Sequence, residues 1–191
     1  MKINYLFLIF FITCFATTVS AQKYKTTEQV EVSGKYGETT FTSSKSFYAN
    51  VSEAPNFRIL SKILKNETLR NTLENEEMVT LFAVADEAFT KLPKKSRDSI
   101  LGNTDLMKAM VTFLAVPGRF DSKSIMNAVK KNGGKARLNT VEGNFLTITE
   151  EAGELVFIDE NGNKAKVIAP DYYHKNGFFH IIDGLIFPPS E

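Results

Sequence analysis

Asn176-Gly177-Phe178-Phe179-His180-Ile181-Ile182-Asp183-Gly184-Leu185-Ile186-Phe187-Pro188 is the stretch whose reading decides the fold. It is strand-like and apolar, yet it carries a histidine and an aspartate. Burying two ionisable groups is costly unless each finds a partner, so the rest of the chain must supply one for each. His180 invites a catalytic reading, as a base oriented by the carboxylate three residues on. On a strand, however, positions 180 and 183 point to opposite faces, which disfavours a direct dyad. The reading adopted is structural: a ring nitrogen of His180 bonds the strand or turn around Thr80 to Asp86 and ties the last strand to the first, because buried polar groups are nearly always bonded.

A second segment, Thr80-Leu81-Phe82-Ala83-Val84-Ala85-Asp86-Glu87-Ala88-Phe89, reads as a strand leading into a short helix. Asp86 stands where an N-cap oxygen accepts a bond from a backbone N–H two or three residues on. Thr80 to Ala83 with Asp86 and Ala88-Phe89, followed by Asn176, Gly177, His180, Ile182, Asp183, Leu185, Ile186 and Pro188, resemble the two motifs of the fasciclin-like domain family, in the same order. Pro117-Gly118 after a helix and Asn139 to Gly143 at a strand turn are similar to that family too. Val84 and Ala85 depart from it, standing where the family has Pro and Thr. The resemblance covers roughly Ser46 to Pro189. It implies an α+β domain that is an adhesion or extracellular binding module and not an enzyme, although function resides in sites and not in folds.

Periodicity gives the same architecture independently. Ile59, Leu60, Ile63 and Leu64 fall on one helical face, and Leu69 with Leu73 repeats that spacing in a second short helix. Leu106, Met107, Met110, Val111, Phe113 and Leu114 predict a strong helix capped by Asn103 or Thr104 and ended by Pro117-Gly118. Another helix starts at Asp121 or Ser122 and runs through Val129 to Gly133-Gly134. Beyond Gly134 the period switches to two, with strands around Leu138, Phe145–Ile148, Leu155–Ile158, Ala165–Ile168 and Phe178–Phe187 separated by Gly-containing turns. A helical N-terminal half packed on an antiparallel β meander or wedge is therefore expected, in one α+β domain.

Residues 1–21 read as a secretory signal: Lys2, an apolar run from Tyr5 to Ala16, and the small-residue pattern Val19-Ser20-Ala21. The run is short for a membrane span. Cys14, the only cysteine, falls inside it, so the expected mature chain has no thiol, disulfide or lipid anchor. Residues 22–45 form an N-terminal extension, with alternation around Val30-Glu31-Val32 and Thr40-Phe41-Thr42 that suits either a hairpin or a flexible leader. The domain proper spans 46–189. Cleavage would remove Lys2, leaving 22 of the 23 basic residues against 22 acidic ones. That balance argues against nucleic acid, which calls for a basic excess. The expected location is outside the cytoplasm: secreted, periplasmic or at the cell surface.

No nucleophile elbow, phosphate loop or dinucleotide fingerprint occurs. With two histidines in all, a zinc site would need both plus carboxylates from opposing faces, and no carboxylate loop suits calcium. Neither metal nor cofactor is expected. The candidate contact surface is Asp171, Tyr172, Tyr173 and His174, placed in a loop before the last strand, because tyrosine offers rigid contact area with a polar tip. The family resemblance marks the same place: several members carry there an Asp-Ile pair implicated in integrin binding, with Tyr172 here in place of the isoleucine. An extracellular protein, a matrix polysaccharide and a second copy of this chain are the partners considered. The rival readings are a secreted hydrolase with a cleft at His180, or capture of a small apolar ligand between sheet and helices, which would need a cavity of several hundred Å³. Asn50-Val51-Ser52 and Asn66-Glu67-Thr68 fit the N-glycosylation pattern.

Overall fold

The alternation around Gly34 and Gly37 resolves as a hairpin: β1 (Ser33–Tyr36) pairs antiparallel with β2 (Thr39–Thr42). The computed structural model describes residues 30–189, and the expected signal segment and residues 22–29 lie outside the described residues. Phe41 is fully buried in the main core, its ring 5.1 Å from that of Tyr172 and 4.9 Å from that of Phe179. This part of the extension therefore contributes apolar burial to the domain.

The helices follow in short steps, and those capped by Ser46, Asn66, Asn103 and Asp121 each begin at a polar side chain that satisfies a free N–H. Ser46 caps α1 (Phe47–Ser52), and a 3₁₀ turn at Pro55–Phe57 leads into α2 (Arg58–Leu64). Asn66 Oδ1 accepts from Leu69 N–H at 2.9 Å to start α3 (Glu67–Glu74). Strand β3 (Val79–Val84) then precedes α4 (Asp86–Thr90), α5 (Lys94–Gly102) and α6 (Thr104–Phe113). Asn103 is the cap of α6 and Asp121 the cap of the later helix α7 (Ser122–Lys131).

Helices α5 and α6 differ from the sequence expectation. Helix α5 has no buried residue and so no periodic apolar stripe to reveal it. Helix α6 stops at Phe113, and Ala115–Pro117 is instead a strand, β4, because Val116 finds a partner in Thr80 of β3. Tertiary pairing overrides the local helical pattern there.

The main sheet is completed by β5 (Lys135–Asn139), β6 (Phe145–Glu151), β7 (Glu154–Ile158), β8 (Lys164–His174) and β9 (Gly177–Ile182). Its order is β4-β3-β9-β8-β7-β6-β5. The meander from β5 to β9 is antiparallel as expected, while β9 lies parallel to β3, Val79 opposite Gly177 through Val84 opposite Ile182. Every residue of β3 and β9 is buried, the pattern of strands covered on both faces.

Close approach dictates two glycines. A Cβ on Gly177 would lie 1.9 Å from the Val79 carbonyl oxygen, and one on Gly184 would lie 2.4 Å from that of Lys164. Only hydrogen fits at either place.

Candidate functional site

Strand β8 is longer than periodicity suggested. Asp171 to His174 belong to it and not to a loop, and Lys175-Asn176 alone form the turn into β9. The alternation fails because the register shifts between Ala169 and Tyr172, with Asp171 at φ +66°. That conformation is uncommon for a residue with a side chain, and aspartate is among those that tolerate it.

The bulge brings Asp171 to His180 and to the first turn of α7. The Asp171 N–H donates to His180 Nδ1 at 3.1 Å. Its carboxylate accepts from the Ser122 N–H at 2.7 Å and from the Ser122 hydroxyl at 2.5 Å, at the first turn of α7. The other ring nitrogen, His180 Nε2, donates to the Phe120 carbonyl at 2.8 Å. These partners select the neutral Nε2–H tautomer. Burial holds His180 below the usual imidazole range, against the upward pull of the Phe120 carbonyl and of Asp171 and Asp121.

His180 thus finds its partners in the 118–120 loop and the β8 bulge, not in the first motif. The tie between the two motifs is made one step further on. Thr80 Oγ1 accepts from Phe120 N–H and donates to the Gly118 carbonyl, both at 2.8 Å. Phe82, opposite His180 in the β3–β9 register, stacks on the imidazole at 5.5 Å.

Asp86 also acts on another element. Ala85 occupies the N-cap position of α4 without a side-chain bond, and the Asp86 carboxylate accepts instead from Arg58 N–H at 3.1 Å and Ile59 N–H at 2.9 Å. It caps α2, whose own N-cap residue is Phe57. Phe89 packs into the core behind it. In the second motif, Asn176 Nδ2 bonds the carbonyls of Leu73 and Glu76, while Asp183 Oδ1 accepts from Lys166 N–H at 2.8 Å. Pro188 follows Phe187, whose N–H donates to Asp159 at 3.1 Å.

Of the four residues proposed from sequence as a contact surface, three are occupied internally. His174 is 3% exposed, and its Nε2 donates between the carbonyls of Val79 and Phe178 at 3.2 and 3.1 Å. Its Nδ1 is buried without a partner, and burial lowers its titration to about 4. Tyr172 donates its hydroxyl to the Lys35 carbonyl at 2.9 Å and packs its ring on Phe41 and Phe179, and Asp171 is spent on α7. Burial accordingly raises the Tyr172 phenol above its ordinary range. Asn50 is equally enclosed, with bonds to the Thr42 N–H and carbonyl, so its glycosylation pattern is not open to modification in the fold.

Tyr173 remains at the surface, half-buried, with its ring 4.7 Å from Phe178. The guanidinium of Arg119 lies over the other ring of this pair, 5.0 Å from the centre of Phe178. Sequence reading missed Arg119 and Ser122, since neither lies in a motif and only the fold brings the 118–122 loop beside β8 and β9.

Chemically, Ser122, Asp171 and His180 have the residue types of a nucleophile relay but not its order. The serine hydroxyl is bonded to the carboxylate, and both imidazole nitrogens are bonded to backbone groups at zero exposure. Between helices and sheet, the void lined by Phe47, Leu60 and Val111 measures about 10 Å³, far from a ligand cavity. Among the described residues no cluster of three or more His, Cys, Asp or Glu is placed to hold a metal, and no helix is long and apolar enough to cross a membrane.

Comparison with known proteins agrees with this geometry. The fasciclin domain family model matches residues 55–188, and the chain belongs to that family. It is 29% identical over 135 residues to protein sll1483 of Synechocystis, covering 70% of this chain and 68% of that one. It is 32% identical over 111 residues to human periostin, covering 58% of this chain but 12% of periostin. The fold is also that of a FAS1 domain pair from the insect cell adhesion molecule Fasciclin I, at TM-score 0.62 and 17% identity, covering 84% of this chain and 67% of that one.

Proposed function

We propose that this chain is an exported, non-enzymatic binding module that mediates adhesion through contact with an extracellular protein or matrix polysaccharide. The observation that carries this reading is the internal use of the motif's chemistry. His180 has no free nitrogen and no solvent exposure, which leaves the motif to hold the fold and the surface to recognise partners. Membership of the fasciclin domain family supports the same reading, as does the adhesion molecule whose domains share the fold.

The contact surface is formed by Tyr173 and Arg119, both packed on the buried ring of Phe178, and keeps one residue of the patch expected from sequence. Tyrosine and arginine are the side chains most enriched where binding energy concentrates. Beads coated with the mature protein should adhere to matrix material from the producing cells, and Tyr173→Ala with Arg119→Ala should reduce adhesion several-fold at an unchanged melting temperature. Equal adhesion by a folded double variant would exclude this surface. Turnover of ester or glycoside substrates that is lost in Ser122→Ala would overturn the module reading in favour of a hydrolase.

A further inference from the structure

Ile59, Leu60, Ile63 and Leu64 fall on one helical face in the sequence, an apolar face that needs to be buried. Only Leu60 and Leu64 are buried; Ile59 and Ile63 stay partly open and line a cleft of about 510 Å³ between α2 and α6. Leu101, at the end of α5 and 39% exposed, and Met107 complete its apolar wall. Three lysines, Lys62, Lys65 and Lys108, also line it. Lys108 pairs with Asp105 at 3.2 Å, whereas Lys62 and Lys65 have no carboxylate within ion-pair distance among the described residues.

From this arrangement we infer that the α2–α6 cleft binds a single-chain anionic amphiphile, an acyl chain ending in a carboxylate. The chain lies on Ile59, Ile63, Leu101 and Met107, and the head group meets Lys62 and Lys65. Lysines near the end of α2 also suit its helix dipole, but that accounts for neither the open isoleucines nor the third lysine contributed by α6. The volume lies within the range of small-molecule sites. A docked protein would cover about 800 Å² per partner, more than so local a cleft offers. The site shares no residue with the Tyr173 surface, and it stands or falls independently of adhesion.

Fluorescence titration of the mature protein with cis-parinarate, below its micelle concentration, should saturate at one site per chain. Palmitate should displace the probe, and hexadecanol, the same chain without the charge, should do so about tenfold less well or worse. Lys62→Glu with Lys65→Glu should weaken parinarate about tenfold or more in a variant that stays folded, its melting temperature lowered only by the reversed helix-dipole contacts. Ile63→Glu, which fills the apolar wall with charge, should abolish binding. Absence of saturable binding overturns the inference, as does equal displacement by hexadecanol or undiminished affinity in the folded charge-reversed variant. Binding of an acidic amphipathic peptide without binding of palmitate would overturn it too, replacing the acyl chain by a protein partner.

Discussion

The β3–β9 seam and the α2–α6 cleft contain similar numbers of polar side chains and use them in opposite ways. In the seam, His174, His180, Thr80, Asn176 and Asp183 all bond backbone groups of neighbouring segments. In the cleft, Lys62 and Lys65 have no carboxylate within ion-pair distance among the described residues, and two isoleucines are left partly open. A buried polar group must be paired inside the molecule, while an exposed one is free to meet something outside it. Residues that look functional in the sequence can therefore be structural, and those that look like ordinary helix surface can be the ones free to bind.

The largest effect is expected where the seam allows no atom. Gly177→Ala places a methyl group 1.9 Å from the Val79 carbonyl and must separate β9 from β3. A cost of about 4 kcal/mol or more follows, a large share of the roughly 5–15 kcal/mol that keeps a domain folded. Circular dichroism of the purified variant would reveal it, and a normal melt would mean that the seam is looser than its register implies.

Acid should come next. His174 titrates near 4 when folded and near 6.5 when free, so its folded affinity for a proton is depressed by burial. Above pH 6.5 neither state takes the proton; between 6.5 and 4 only the unfolded state does. Stability from this group is thus complete above 6.5 and falls as the pH drops towards 4, by about 3 kcal/mol at about 1.4 per pH unit. His180, also depressed by burial, acts in the same direction. Urea midpoints measured across that range test it, and His174→Gln, which still donates to the two carbonyls but does not titrate, should show a shallower acid limb.

His180→Ala should cost about 1–3 kcal/mol, because the Phe120 carbonyl and Asp171 N–H lose their partners in a buried place. An unchanged melting temperature would contradict the structural role given to this histidine.

How far the sequence revealed these regions depends on how local each signal is. The paired motifs, the Asn103 and Asp121 caps and the antiparallel meander were legible because a few neighbouring residues specify each. The parallel pairing of β3 and β9 was not, since an apolar run carries no record of its neighbour's direction. Nor was the identity of His180's partners: a buried histidine demands bonds, but only the fold brings Phe120 and the bulged Asp171 to it. The positive φ of Asp171 broke the alternation that would have placed Tyr172 and His174 in β8. The cleft was hidden for the converse reason, because Ile59 and Ile63 have the spacing of core residues and nothing local distinguishes an apolar face that is covered from one left open.

Asp86 joins the two regions and gives the smallest effect. It follows the end of β3, where local reading makes it the cap of its own helix, yet its carboxylate holds the first N–H groups of α2, the helix that carries Ile59, Lys62 and Ile63 into the cleft. Its ion pair with Arg58, 3.8 Å away on an 84% exposed side chain, adds little. Asp86→Ala should therefore cost about 1 kcal/mol, the worth of an N-cap. Asp86→Asn, which keeps an acceptor oxygen, should restore most of it. Thermal melts of the two variants decide the matter: equal loss in both would assign the stabilisation to charge, whereas recovery in asparagine assigns it to the cap. Hydrogen exchange should localise the Asp86→Ala loss to the first turn of α2, leaving β3 and β9 protected as before, and loss of protection spreading into those strands would mean that seam and cleft are one cooperative unit.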